Sequence, residues 1–235
     1  YARVNQWEKA AFAFSNAVII SKGHPKYIYW LGKAREETGN SLMAETLYDE
    51  ALKKDASFLE ALGSMGEIKL NKKEYKEALS FYNEYLRHRP NDVQVLNNAG
   101  LCCLAQNEPE TAREYLEKAI KLAPNDAAVR YTYATVYLRL GDLKRAVEEF
   151  KKIDSGVTAD VLCTIGYCYG ILQDYENSIR YYNEALSMEP DNGEILLNIA
   201  TIYAKSGETE QALAIFRKLL LLNPHNPELL NNMAW

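Results

Sequence analysis

The sequence predicts an all-α fold made of repeated helix pairs, and three observations predict it. The interval from Pro90 to Pro124 is repeated between Pro190 and Pro224, and a spacing of about 34 residues marks a repeated helix, turn, helix unit. Columns of small and of large residues recur with that period. No alternating Val/Ile/Thr-rich run occurs, and 12 Gly and 7 Pro among 235 residues are too few for a turn-rich sheet protein.

Placing those prolines at position 32 of such a unit gives six full repeats at 25–58, 59–92, 93–126, 127–158, 159–192 and 193–226. Residues 1–24 then read as the second helix of a partial repeat and 227–235 as the start of a further one. The expectation is a single solenoid over 1–235 that is a fragment of a longer protein, with apolar runs such as Leu219 to Leu222 awaiting another helix.

Each element follows from a column. Position 8 is Gly32, Gly66, Gly100, Ala134, Gly166, Ala200 and Ala234, and position 20 is Ala10, Ala44, Ala78, Ala112, Ala146, Ser178 and Ala212. Small residues there let the two helices approach closely. Position 24 is Phe14, Tyr48, Tyr82, Leu116, Phe150, Tyr182 and Phe216, expected to fill the space between neighbouring units. Gly39, Asn107, Gly141 and Gly207 fall at position 15, where the first helix should close through a left-handed residue. The prolines sit just past the second helix, where they stop it at little cost. One unit breaks register: 127–158 has 32 residues, and KKIDSGVTAD replaces the proline ending. Its second helix should be shortened or reoriented after Ile153, with Gly156 supplying the bend.

Composition narrows the function. Lys and Arg number 27 against 32 Asp and Glu, so the basic footprint of a nucleic-acid binder is missing. From Asp174 to the C-terminus nine carboxylates stand against four cations, a balance equal to the net charge of −5 for the whole chain. No run of about 18 apolar residues suggests membrane insertion. Cys102, Cys103, Cys163 and Cys168 are spaced so that neither pair shares a helix face, which argues for free thiols and a reducing, cytoplasmic setting rather than disulfides or metal. His24, His88 and His225 lie at repeat junctions without a second ligand at metal spacing. Adjacent carboxylates such as Glu36 and Glu37 diverge on a helix, so no paired acid and base emerges. The residues predict no catalytic set, no metal and no cofactor.

The stretch LGSMGEIKL, Ala78 with Tyr82, and Pro90 resemble the tetratricopeptide repeat (TPR) pattern W-x2-L-G-x2-Y, A-x3-F, P. The match departs from that pattern in three ways: position 4 is never Trp, position 11 is Arg35 and Lys69 in two units, and Ala56 stands where the first proline belongs. The resemblance implies a right-handed superhelical solenoid whose first helices line a concave groove, and a non-enzymatic scaffold or adaptor that holds a peptide or helical segment of a partner protein. A substrate-recruiting region of a larger enzyme, such as a protein O-glycosyltransferase, is the alternative. Positions 4, 7, 8 and 11 pack inward at helical spacing, so positions 5, 6 and 9 should line the groove. The candidates are Tyr29, Lys33, Asn97, Asn98, Tyr131, Thr135, Thr164, Tyr167, Asn198, Thr201 and Asn232. Amides and hydroxyls there can grip a peptide main chain, and Tyr131, Thr135, Thr164, Tyr167 and Asn198 converge beside the register break. Self-association through the uncapped terminal helices is a further expectation. The Lys, Asn and Arg set with which chaperone-binding relatives clamp a terminal carboxylate is not found.

Overall fold

The computed structural model describes residues 2–222, with side chains described from 6 to 220. Position 8 of the last column, Ala234, and the groove candidate Asn232 lie outside the described residues, as do Pro224 and the start of the further repeat. Thirteen helices and no strand occupy the described residues, in the order α1 (Ala2–Ile20), α2 (Pro25–Glu37), α3 (Ser41–Lys54), α4 (Leu59–Asn71), α5 (Tyr75–His88), α6 (Val93–Ala105), α7 (Pro109–Leu122), α8 (Ala127–Arg139), α9 (Leu143–Lys151), α10 (Ala159–Ile171), α11 (Tyr175–Met188), α12 (Gly193–Ser206) and α13 (Thr209–Leu222). The chain divides into two compact units, Tyr1–Pro124 and Asn125–Trp235.

The six first helices start at residues 25, 59, 93, 127, 159 and 193, the first position of each repeat. For every one but α4, which follows Phe58 without a side-chain cap, the residue before the start explains why. Asp92, Asp126, Thr158 and Asn192 accept a hydrogen bond from an amide in the first turn of the helix that follows, which satisfies donors the helix itself leaves open.

At the other end the closure is the same in every unit. The amide at position 16 donates to the carbonyl at position 11, as in Asn40 to Arg35, Glu74 to Lys69 and Asp174 to Tyr169, at 2.9 to 3.0 Å. This bond requires a left-handed residue at position 15. Gly39, Asn107, Gly141 and Gly207 have φ of 86, 61, 78 and 86°. Lys73 and Gln173 occupy the same position with φ of 62 and 61°, although nothing about their side chains favours it.

Within each pair the large residue at position 24 lies over the small one at position 8. A Cβ added to Gly66 would stand 2.4 Å from the Tyr82 ring, and one added to Gly32, Gly100 or Gly166 would meet Tyr48, Leu116 or Tyr182 at 2.7, 2.7 and 3.1 Å. The position-24 column therefore closes its own unit, rather than only filling the gap to the next. Position 20 from Ala44 to Ala212 is buried throughout. In the first unit, Tyr48 and Tyr82 anchor successive core clusters; in the second, Phe150 and Tyr182 share one that runs from Ala134 to Ile202.

The break in register shows in α9, which has nine residues where the other second helices from α3 to α13 have 14. Lys152 caps it, Gly156 follows with φ of 72°, and Thr158 opens α10. Loss of the last turn is the shortening that the 127–158 unit requires.

Candidate functional site

The predicted groove residues divide into three groups once burial and hydrogen bonds are assigned. The first group belongs to the core. Tyr29 is 8% exposed, with its ring 5.3 Å from Tyr48 and from Trp30 and 5.6 Å from Phe58. Three aromatic neighbours close over it, so Tyr29 is a packing residue and not a groove contact. Asn97 and Asn98 are 5% and 8% exposed, which withdraws them from the groove as well.

The burial of the amide row has a specific cause. Asn98 Nδ2 donates to the Tyr82 hydroxyl at 3.4 Å, and Ser64, also at position 6 and buried, lies beside the Tyr48 hydroxyl. Each is the partner of the tyrosine at position 24 in the preceding unit. A buried phenol without a partner is costly, and position 6 supplies that partner. Tyr48 also donates to Glu36 Oε2 at 2.8 Å.

The second group is bound to its own helix. Thr135, Thr164 and Thr201 donate to the carbonyls of Tyr131, Asp160 and Leu197 at 2.8 to 2.9 Å. Their hydroxyl protons are thus spent on backbone four residues back, leaving only acceptor capacity toward a partner. Lys33, half-buried, donates to Glu36 Oε2 at 2.8 Å and lies 4.0 Å from Glu37 Oε1. Burial acts to lower its pKa, but the pairing with Glu36 more than offsets this, and the net shift is upward.

The third group faces solvent. Tyr131 is 41% exposed and Tyr167 53% exposed, on the face turned away from the core, while Asn198 is half-buried. One edge of the Tyr131 ring packs on Phe150, with centroids 5.6 Å apart at 65°, so the core fixes its orientation while its other side stays open. Tyr131 also borders a cavity of about 290 Å³ whose walls include Ile153, Gly156, Thr158 and Asp160. The loop that replaces the last turn of α9 forms one side of that cavity.

Sequence reasoning missed Arg130, which stands at inward-facing position 4 where every other unit from 25 to 226 carries Ile or Leu. Its Nη1 donates to Glu149 Oε2 at 2.6 Å with both side chains largely buried. The signal was the glutamate on the second helix of the same unit, which meets position 4 when the pair closes.

Among the described residues no three His, Cys, Asp or Glu side chains gather as a metal site. No described helix is long and apolar enough to cross a membrane. All four cysteines are free, with Cys102, Cys103 and Cys168 buried and Cys163 half-buried. Burial is the largest cause that raises their thiols, Cys102 to about 12 and the other three to about 11. Iodoacetamide at pH 7.5 is therefore expected to label Cys163 slowly and the other three only after denaturation. Peptide mass mapping of native and unfolded protein checks this; rapid native labelling of Cys102 or Cys168 would contradict the packing.

Residues 104–155 and 172–235 match one family model described as tetratricopeptide repeat, and residues 57–125 match a second with the same description. No curated protein matches the sequence. Among solved structures, a tetratricopeptide repeat protein from Parabacteroides merdae ATCC 43184 is 19% identical with a TM-score of 0.70, covering 84% of this chain and 79% of its own. PilF of Pseudomonas aeruginosa is 22% identical with a TM-score of 0.69, over 89% of this chain and 96% of its own. YrrB, described as a TPR protein with an unusual peptide-binding site, is 20% identical with a TM-score of 0.56, over 96% of this chain and all of its own.

Proposed function

Because the chain belongs to the tetratricopeptide repeat family, whose fold supports protein–protein interaction, we propose that it is a non-enzymatic scaffold or adaptor. Its second unit holds a peptide or helical segment of a partner against Tyr131 and Tyr167. One observation carries the reading: both tyrosines are exposed on the face that core packing does not require, and Tyr131 is braced by Phe150 beside an open cavity. A rigid, exposed aromatic supplies large contact area at low entropic cost. Asn198 offers an amide alongside, while Thr135, Thr164 and Thr201 offer acceptor oxygens. YrrB provides a structural precedent for peptide binding on a related fold. The acidic balance from Asp174 onward favours a partner segment with basic residues.

The test uses peptides selected against the chain from a random displayed library. Their affinity is compared for the native protein and the Tyr131→Ala/Tyr167→Ala variant. The expected loss is about 30-fold, or roughly 2 kcal/mol, the size of an interface anchor, with the melting temperature lowered by only a few degrees. Unchanged affinity would place binding on another face.

A further inference from the structure

The grooves beside the second helices differ between the two units in a way that the Tyr131 and Tyr167 reading does not explain. Matched repeat positions line them. In the first unit the groove between α3 and α5 contains Glu45, Asp49, Glu77 and, at position 11, Lys69. Lys69 Nζ sits 3.1 Å from Glu45, 2.6 Å from Glu74 and 2.8 Å from Glu77, and Lys72 also pairs with Glu45. That groove neutralises its own charges.

In the second unit the corresponding groove, about 660 Å³, runs along α9 to the end of α10. Position 11 is Tyr169, stacked on Tyr181 at 5.6 Å, so no central cation or anion ties the walls together. Lys144 and Lys151 stand on the rim, both exposed, and neither forms an ion pair among the described residues. Glu148 lies between them in sequence yet bonds neither, Lys152 is taken by Glu149 at 2.6 Å, and Asp174 spends both oxygens on Asn177. The floor between the two ammonium groups is apolar, formed by Val147, Tyr169 and Leu172. α9 with its cap, Leu143 to Lys152, carries four cations, Lys144, Arg145, Lys151 and Lys152, against the two carboxylates Glu148 and Glu149, an excess of two in a chain whose net charge is −5.

Two unpaired cations seven residues apart on one helix are separated by about 10 Å along its axis. A single phosphate cannot reach both. In an extended chain the side chains at i, i+2 and i+4 share one face, so two carboxylates four residues apart span about 13 Å, within reach of the two flexible ammonium groups, and the apolar side chain midway between them meets the floor. We propose that this groove is a second docking site, taking a short extended partner segment in which one apolar residue is flanked, two positions away on each side, by an acidic one. The site is separate from the Tyr131 and Tyr167 face.

The probe is a fluorescein-labelled peptide, Gly-Ser-Glu-Ser-Leu-Ser-Glu-Gly-Ser, followed by anisotropy on the whole chain at low and moderate salt. Saturable binding is expected, weakened about tenfold in Lys144→Gln/Lys151→Gln, weakened similarly when both Glu of the peptide become Gln, and reduced by added salt. Both lysines are exposed and unpaired, so the variant keeps its fold, which a thermal melt verifies. The Tyr131→Ala/Tyr167→Ala variant should bind this peptide as the native chain does, even if the inner-face proposal fails. Equal binding by the lysine variant, no saturable binding, full competition by inorganic phosphate at equal concentration, or loss only in the tyrosine variant would each overturn the proposal.

Discussion

Phe150→Ala is expected to lower the stability of the second unit by about 3–5 kcal/mol, the range for deleting a buried ring. Phe150 is 2% exposed and belongs to the cluster that joins Ala134, Val147, Ile165 and Tyr182. Its helix has only nine residues, so few other contacts hold α9 in place, and Ala146 and Val147 are the remaining buried side chains on it. The ring also seats Tyr131. Its removal should therefore loosen the proposed binding face together with the core. Denaturant titration followed by circular dichroism measures the loss. A change under about 1 kcal/mol would mean that the position-24 side chain is not the closure of its unit.

Gly66→Val should cost about 3 kcal/mol or more, at or above the upper end for overpacking. An added Cβ would stand 2.4, 2.7 and 2.8 Å from three atoms of the Tyr82 ring. That ring is buried, and its hydroxyl is held by Asn98, so it cannot swing aside freely. The native units with Ala at position 8 carry Phe at position 24, in Ala134 with Phe150 and Ala200 with Phe216. A phenyl ring has no hydroxyl to hold it, which lets it yield to a Cβ. Accordingly, Gly66→Ala alone should cost about 1–3 kcal/mol, and the Gly66→Ala/Tyr82→Phe pair less than the sum of its single changes. Additive losses would show that the hydroxyl does not pin the ring. Gly39→Ala, with nothing within 4 Å of the new Cβ but φ of 86°, separates backbone strain from crowding.

The repeat was legible because its columns are set by contacts that recur from unit to unit: Gly or Ala under a large side chain, and a side-chain cap before every first helix except α4. The helix starts fall on the repeat starts for that reason. Side-chain chemistry identified four of the left-handed turn residues and passed over Lys73 and Gln173, since the bond from position 16 to position 11 imposes the conformation whatever the residue. The groove was harder to read. A polar residue type does not say whether it meets water or a hydroxyl, and the partners of Ser64 and Asn98 stand one helix earlier, in Tyr48 and Tyr82. That Tyr to polar spacing was present in the sequence and would have assigned both to the core. Tyr29 was hidden by local accident, because Trp30 and Phe58 happen to cover its ring. Tyr131 and Tyr167 were legible as exposed since no column required them inside.

The nine-residue α9 has a consequence for how the molecule comes apart. A repeat array behaves as a row of links, each held by its own closure and by its neighbours, and such a row ordinarily frays from its ends. Here one link in the interior has lost more than a turn of helix and the backbone hydrogen bonds that came with it. Within the second unit, α9 then has fewer backbone hydrogen bonds to lose than the 14-residue α11, and local opening is expected there first. α9 and the loop after it also border both the Tyr131 cavity and the lysine-rimmed groove. A partner seated on either would act as a splint, raising the free energy of that opening by RT ln(1 + [L]/Kd).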